Sequence, residues 1–258
     1  MNGRIIILAG GKGVRMNSTG AKVLQPILGL PMIEYVFKSF AELDLAERPV
    51  VVVGFDAANV KKQINPPPRG YGAASRRVMF VGQKEQLGTG HAVACCKRKF
   101  KNYAGPILVL YGDHPLISRQ TIENLFKIHE KAGAQITMMT TSVEDFNDWR
   151  QGFFAFGRIL RDTENNICAI RELRDCDENE RKILELNPGY YCFDSQWLWK
   201  NIGALKNNNN QKEYYLTDLI ELAVEQGIKI NSLKIHPIEC VGVNTPEQLA
   251  IVERLLKK

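Results

Sequence analysis

Short runs of β-branched residues alternate along the chain with stretches of helical period. Ile5–Leu8, Pro49–Val53, Val78–Val81, Ile107–Leu110 and Ile136–Thr140 are apolar or nearly so throughout. Such runs predict strands covered on both faces, the condition of a mainly parallel sheet between helical layers. Between them, Met32, Ile33, Val36, Phe37 and Phe40 recur on one face of a helix that Pro31 begins. Ile122, Leu125, Phe126 and His129 repeat that period, as do Leu216, Leu219, Ile220 and Ala223. Thr245-Pro246-Glu247-Gln248 predicts the start of a last helix, with Thr245 as cap, Pro246 at the first position and Gln248 closing a capping box. Its apolar face is Leu249, Val252 and Leu256.

The second half is richer in short strands, expected at Phe153–Leu160, Ile167–Glu172, Gly189–Phe193, Ile230–His236 and Ile238–Val243. Asn65–Ser75, Arg174–Lys182 and Lys206–Lys212 read as loops. The pattern as a whole is that of an α/β protein with a mostly parallel central sheet flanked by helices and a smaller β lobe.

At 258 residues, with 45% hydrophobic and 24% charged residues, the chain has the composition of an ordinary globular protein and not of a collagen-like, coiled-coil or disordered one. The six cysteines show no CxxC spacing and are expected as free thiols of a reducing compartment. No run approaches the ~18 apolar residues of a membrane span. A cytoplasmic protein is therefore expected, with no membrane partner.

The net charge of +6 is concentrated between Arg69 and Lys101, where Arg69, Arg76, Arg77, Lys84, Lys97, Arg98, Lys99 and Lys101 face only Glu85. This field either attracts an anionic partner, phosphate above all, or is a solvated basic face.

Leu8-Ala9-Gly10-Gly11-Lys12-Gly13-Val14-Arg15-Met16 follows the first strand directly. Glycines at that point let backbone N–H groups approach a phosphate. Met16 stands where the dinucleotide fingerprint needs its third glycine, and Lys12 is followed by Gly13 where a P-loop needs Ser or Thr. What remains is a phosphate loop followed by two cations, Arg15 and Lys22, or a glycine-rich turn with surface charges. Tyr111-Gly112-Asp113-His114-Pro115 closes the fourth apolar run. There Asp113 is a candidate Mg²⁺ ligand, since Mg²⁺ takes few protein oxygens, or else a turn residue. His114 is a weaker catalytic candidate. The polar loop Gln83–His91 could pair with a nucleobase edge. Gly157, Glu172, Asn187 and Asn244 stand beside expected strands and could meet sugar hydroxyls.

Together these motifs resemble the nucleotide-sugar pyrophosphorylases, and most closely the N-terminal uridyltransferase domain of the bacterial bifunctional N-acetylglucosamine-1-phosphate uridyltransferase and glucosamine-1-phosphate acetyltransferases. Leu8–Met16 with Lys22, Gln83–Ala92, Tyr111–Ile117, Phe156–Ile159, Arg171-Glu172, Leu186–Gly189, Asn207–Asp218 ending in Glu213–Asp218, and Val241–Asn244 follow in the family's order. The resemblance implies a Rossmann-like, GT-A type fold in a single nucleotidyltransferase domain over 1–258. Residues 1–142 would form mainly the nucleotide lobe, 143–243 mainly the sugar lobe, and 244–258 the final helix. The chain stops at Lys258, so no left-handed β-helix acetyltransferase domain is expected.

The implied reaction joins UTP to a sugar 1-phosphate, N-acetylglucosamine 1-phosphate being favoured, to give the UDP-sugar and pyrophosphate. By resemblance, Leu8, Ala9, Gly10, Gly11 and Gly13 with Arg15 and Lys22 would serve the phosphates. Gln83, Gln86, Gly88 and Thr89 would read the uracil. Tyr111 and Gly112 would line the site, and Asp113 with Asn244 would hold Mg²⁺. Gly157, Glu172, Asn187 and Thr217 would face the sugar. Pro188, Leu173, Arg174 and Thr245 depart from the family pattern beside the sugar and metal residues. Alternatives are another nucleotide (CTP, dTTP), another sugar or polyol phosphate, or a non-catalytic nucleotide-sugar sensor. Nucleic acid is not an expected partner, since Phe100 is the single aromatic within Lys97–Lys101.

Overall fold

The computed structural model describes residues 3–16, 20–45, 47–64, 78–209 and 211–257. In chain order its strands are β1 (Arg4–Ala9), β2 (Pro26–Ile27), β3 (Leu30–Pro31), β4 (Val50–Val53), β5 (Met79–Gly82), β6 (Pro106–Tyr111), β7 (Ile136–Ser142), β8 (Gly157–Arg161), β9 (Ile167–Arg171), β10 (Glu185–Asn187), β11 (Tyr191–Asp194) and β12 (Asn231–Ile235). The α-helices are α1 (Met32–Phe40), α2 (Ala57–Ile64), α3 (Thr89–Ala94), α4 (Arg119–Ala132), α5 (Ser195–Asn201), α6 (Asp218–Glu225) and α7 (Pro246–Leu256).

Ten strands form one sheet in the order β5-β4-β1-β6-β11-β7-β10-β8-β9, with β12 also on β7; β2 and β3 make a separate hairpin. Strands β5, β4, β1 and β6 are mutually parallel, and β12 is parallel to β7, whereas β11 and β10 run antiparallel to their neighbours. The unbroken apolar runs have a direct explanation. Ile5 and Ile7 of β1 and Leu108 and Leu110 of β6 face a layer holding α1, α2, α4 and α7. Ile6, Ile107 and Val109 face the opposite layer of α3, α5 and α6. Each successive side chain is therefore buried, on alternating faces. β5 is half-buried instead, as an edge strand is.

Strand β7 explains the shape of the site. Along one side it pairs first with β11 (Cys192 opposite Thr137) and then with β10 (Leu186 opposite Thr141). β11 and β10 are two pieces of one course of chain, broken at Pro188-Gly189-Tyr190, where Gly189 has φ +86°. Beyond the break the sheet divides. β11 carries β6, β1, β4 and β5, while β10 carries β8 and β9. The smaller β lobe is thus a branch of the central sheet, and a cleft lies in the fork.

Several sequence expectations require correction. Residues Asp148–Ala155 form 3-10 turns, not the start of a strand, because Phe153 packs edge-on against Trp149 and Phe156 in the core. The stretch expected as a strand at Ile238–Val243 begins as the 3-10 turn Pro237–Cys240, which His236 caps through Nδ1. Pro31 ends β3 and caps α1, which starts at Met32. Short α2, α3 and α5 and the β2–β3 hairpin had no periodic signal. The expected loop at Asn65–Ser75 lies outside the described residues. No helix among the described residues is long and apolar enough to cross a membrane, and the six cysteines are free.

Candidate active site

The carboxyl ends of β1, β4 and β6 are in register, Leu8 lying beside both Val52 and Tyr111. Open α/β sheets bind ligands at this edge. Here two backbone turns meet face to face. Gly10 O accepts Phe55 N–H at 3.0 Å, and a Cβ on Gly54 would stand 2.7 Å from Gly10 O. Gly13 has φ +64°, and a Cβ there would lie 2.5 Å from Lys22 Cβ. The glycine thus makes room for the lysine stem, which runs under the loop.

The Lys22 ammonium donates to Asp113 Oδ2 in an ion pair and to Asn244 Oδ1 at 2.8 Å. Both acceptors are held from behind. Gly112 N–H donates to Leu8 O at 2.9 Å, extending the β1–β6 ladder up to Asp113. Asp113 O in turn accepts Val243 N–H at 2.9 Å. Gln248 Oε1 accepts Asn244 N–H at 2.7 Å, while Thr245 Oγ1 caps α7 by accepting Gln248 N–H. The expected capping box is therefore displaced by one residue, and it anchors Asn244. Burial pushes the Asp113 carboxyl up, but the Lys22 ammonium, His114 and the hydrogen bonds that the carboxylate accepts together hold it below the usual carboxylate range.

His114 is held by its neighbours and also lines the larger cavity in the fork. Its Nδ1 lies 2.9 Å from the Tyr190 hydroxyl, which donates to Glu239 O at 3.0 Å, and its ring stacks on Tyr111 with centroids 5.1 Å apart. Burial lowers its pKa despite the nearby Asp113.

A cavity of about 300 Å³ opens over the glycine loop. Leu8, Ala9, Gly10 and Gly11 of the loop line it together with Gln83, Gln86, Gly88 and Thr89, and so do Lys22, Tyr111 and Asp113. Gln83 is buried and donates from Nε2 to Gly88 O at 3.1 Å. Sequence reasoning missed Val23, Ala92 and Glu213, which also line this space. Glu213 arrives from the far end of the chain because Tyr214 N–H donates to Leu87 O, Gly90 N–H to Tyr214 O (both 2.8 Å), and Leu216 N–H to Thr89 Oγ1 at 3.0 Å. Only its place within the Glu213–Asp218 motif hinted at it.

The fork of the sheet holds a second cavity of about 850 Å³ that shares Thr89 and Tyr111 with the first. Gly157, Glu172, Asn187 and Thr217 all line it, as do Leu173, Arg174 and Pro188. Asn187 is tied down by the Tyr191 hydroxyl at 2.7 Å and by Gly189 N–H at 3.0 Å. Burial, with the charges of Asp218 and Asp175, raises the Glu172 pKa. Beneath this wall the fully buried Arg158 donates to the carbonyls of Phe154 (2.9 Å) and Phe156.

The fold therefore gathers all but four of the expected site residues into the two linings. Gly13, Gly112 and Asn244 act just behind them through the contacts above. Arg15 is exposed in the turn Val14–Met16 and lines neither cavity. The basic segment stays apart as well. Lys84, Arg98, Lys99 and Lys101 are exposed, Lys97 Nζ donates to Trp199 O at 2.7 Å, and Arg69, Arg76 and Arg77 lie outside the described residues.

Residues 5–217 match the family model described as the MobA-like NTP transferase domain. The chain belongs to this family of nucleotidyltransferases. It is 37% identical over 252 residues to the bifunctional protein GlmU of Clostridium novyi (strain NT), covering 98% of this chain and 52% of the relative. To the bifunctional protein GlmU of Desulfotalea psychrophila (strain LSv54 / DSM 12343) it is 37% identical over 254 residues, covering 98% and 70%. The chain spans about half the length of the Clostridium relative, the aligned part being the N-terminal one.

Among solved structures, UDP-glucose pyrophosphorylase complexed with UDP-glucose superposes with a TM-score of 0.76 at 17% identity, covering 100% of this chain and 99% of that one. The CMP:2-keto-3-deoxy-manno-octonic acid synthetase complexed with CTP reaches 0.68 at 18%, with the same coverage. At these identities the likeness is one of fold, and it bears out the α/β, GT-A type expectation.

Proposed function

We propose that this chain transfers a uridylyl group from UTP to N-acetylglucosamine 1-phosphate, releasing UDP-N-acetylglucosamine and pyrophosphate. The observation that carries this reading is the convergence of Asp113 and Asn244 on Lys22 at the cavity over the glycine loop, which shares Thr89 and Tyr111 with the larger cavity in the fork. A triphosphate over the glycine loop and a sugar phosphate in the fork would meet there.

In the proposed reaction an oxygen of the sugar phosphate attacks the α-phosphorus of UTP, and the bond to the pyrophosphate oxygen breaks. The nucleophile is an anion at neutral pH, so alignment and charge neutralisation suffice and no general base is needed. The amides of Gly10 to Gly13 would take the triphosphate oxygens. The Lys22 ammonium would offset charge on the α-phosphate and the sugar phosphate, and Arg15 would reach the pyrophosphate from the rim. Gln83, Gln86, Gly88 and Thr89 would read the base, and Gly157, Glu172, Asn187 and Thr217 the sugar.

The chemistry of the donor pair fits the Mg²⁺ that the family implies. Asp113 and Asn244 offer two hard oxygens that already converge on one cation, the Lys22 ammonium. No cluster of three His, Cys, Asp or Glu residues competes for a softer metal among the described residues. Mg²⁺ characteristically takes one or two protein oxygens and leaves the rest to phosphate and water. Held by Asp113 and Asn244 with the Lys22 ammonium turned from them to a phosphate, it would supply positive charge to the transferring phosphates.

A different acceptor has its own support. Pro188, Leu173 and Arg174, the residues that depart from the family pattern, all line the larger cavity. Pyrophosphate release measured over a matrix of UTP, CTP, dTTP and ATP against several sugar and polyol 1-phosphates, with and without Mg²⁺, tests both. Highest kcat/KM with UTP and N-acetylglucosamine 1-phosphate is expected. A different best acceptor would overturn the sugar, a different best nucleotide the uridylyl assignment, and no release with any pair the catalytic reading itself.

A further inference from the structure

The wall of the smaller cavity contains a hydrogen-bond chain that no phosphate or sugar contact uses. The Gln83 side chain is only 6% exposed, and its Nε2 has two acceptors, Gly88 O at 3.1 Å and His91 Nδ1 at 3.2 Å. A primary amide nitrogen carries two hydrogens. Both are therefore committed.

The Gly88 carbonyl can only accept, so the atom facing it must be the amide nitrogen. With Nδ1 accepting, the imidazole proton sits on Nε2, which lies 3.7 Å from the Sγ of Cys95, the C-cap of α3. Gln83 Oε1 is left facing the glycine loop, 3.0 Å from where a Cβ on Gly10 would stand. Among the described residues it has no hydrogen-bond partner.

The geometry points to His91 as a positioning residue that sets nucleobase preference through Gln83. By taking the second N–H of Gln83, the imidazole holds Oε1 as a fixed acceptor on the cavity side. A fixed acceptor favours a base that presents an N–H, the N3 imide of uracil, over one that presents a bare ring nitrogen, N3 of cytosine. Without His91 one amide hydrogen of a buried side chain has no partner, and the Gly88 carbonyl alone holds the amide, against the cost of that unpaired N–H. The inference rests on the uridylyl reading proposed above and deepens it.

The test is a double-mutant cycle read as the ratio of kcat/KM for UTP to that for CTP. His91→Leu removes the acceptor, His91→Asn keeps an oxygen close to the place of Nδ1, and Gln83→Met removes the amide. His91→Leu is expected to lower the ratio about tenfold, the worth of one or two neutral hydrogen bonds, mainly through KM for UTP. His91→Asn should keep the ratio within about threefold of wild type. In the Gln83→Met background His91→Leu should change nothing more.

An unchanged ratio in folded His91→Leu overturns the inference. So does an unchanged ratio in Gln83→Met, which decides the matter even if His91→Leu does not fold. So does an equal effect of His91→Leu with and without Gln83. A wild-type protein with no preference for UTP overturns both this inference and the uridylyl reading, whereas a retained preference with a failed cycle overturns this inference alone.

Discussion

Asn244 Oδ1 lies 2.8 Å from Lys22 Nζ across 222 residues of chain. The contact closes the site. It joins the 3-10 turn Lys22–Leu24 before β2 to the approach to α7, with Asp113 just past the end of β6 as the third member. Lys22 occupies the point where two oxygen donors converge, so its charge serves both to hold the site together and to meet the substrates.

Removing that charge should abolish turnover while sparing the fold. Lys22→Met keeps the stem that packs on Gly13 but leaves Asp113 and Asn244 facing each other without a cation. A fall in kcat of about 10²-fold or more is expected, the usual effect of deleting one preorganised electrostatic group. Steady-state pyrophosphate release and a thermal melt of the same sample would check it, and a kcat within threefold of wild type would remove Lys22 from the mechanism.

Gly13→Ala should damage the same site from the other side. The added Cβ is strained at φ +64° and meets Lys22 Cβ at 2.5 Å. The backbone conformation alone costs about 1 kcal/mol, and Lys22 must move as well. Turnover is expected to fall at least about tenfold, with a modest loss of stability in urea titration.

Gln248 never reaches either cavity, yet its Oε1 holds Asn244 N–H at 2.7 Å. Gln248→Ala should leave that N–H without its partner and loosen Asn244. The Mg²⁺ concentration for half-maximal turnover should rise several-fold. Gln248→Glu, which keeps the acceptor oxygen, should restore it. Equal Mg²⁺ titrations for the Ala and Glu variants would show that the contact is inconsequential.

His129 predicts how stability depends on acidity. Burial lowers its pKa to about 4, against a smaller upward pull from Asp194. Its Nδ1 lies 3.0 Å from Thr137 Oγ1 inside the protein. An unfolded chain titrates near the ordinary imidazole value of about 6.5. Between these values the unfolded state binds the extra proton. This contribution to stability is therefore complete above about pH 6.5 and is lost as pH falls towards 4, by up to about 3 kcal/mol. Urea titrations at pH 7 and 4.5 should show a smaller drop for His129→Gln than for wild type. An equal drop would mean that other groups carry the acid sensitivity.

The strands β1, β4, β6 and β7 and the faces of α1, α4 and α6 were legible in the sequence because burial on both faces of a sheet, or on one face of a helix, writes a period into the chain. The glycine loop and Asp113 were legible for a related reason, since each directly follows such a strand and the carboxyl edge of a sheet is where ligands bind. Short α3 and α5 escaped, having too few turns to show a period, and α2, as long as α6, buries only Val60 and Ile64. Asp148–Ala155 misled because an aromatic cluster packs it as 3-10 turns, and an apolar run has no way to announce that.

By itself the sequence determined which residues are apolar, where the chain turns, and which cations and carboxylates follow strands. Local periodicity and backbone chemistry are properties of neighbours along the chain, so they survive without the fold. Tertiary structure alone decided that β10 and β11 part at Gly189 and open the fork, that Glu213 docks beside Thr89, and that Gln248 restrains Asn244. It also set the direction in which Gln83 presents its amide. Each of these depends on pairing between segments far apart in sequence, and no local pattern records the partner.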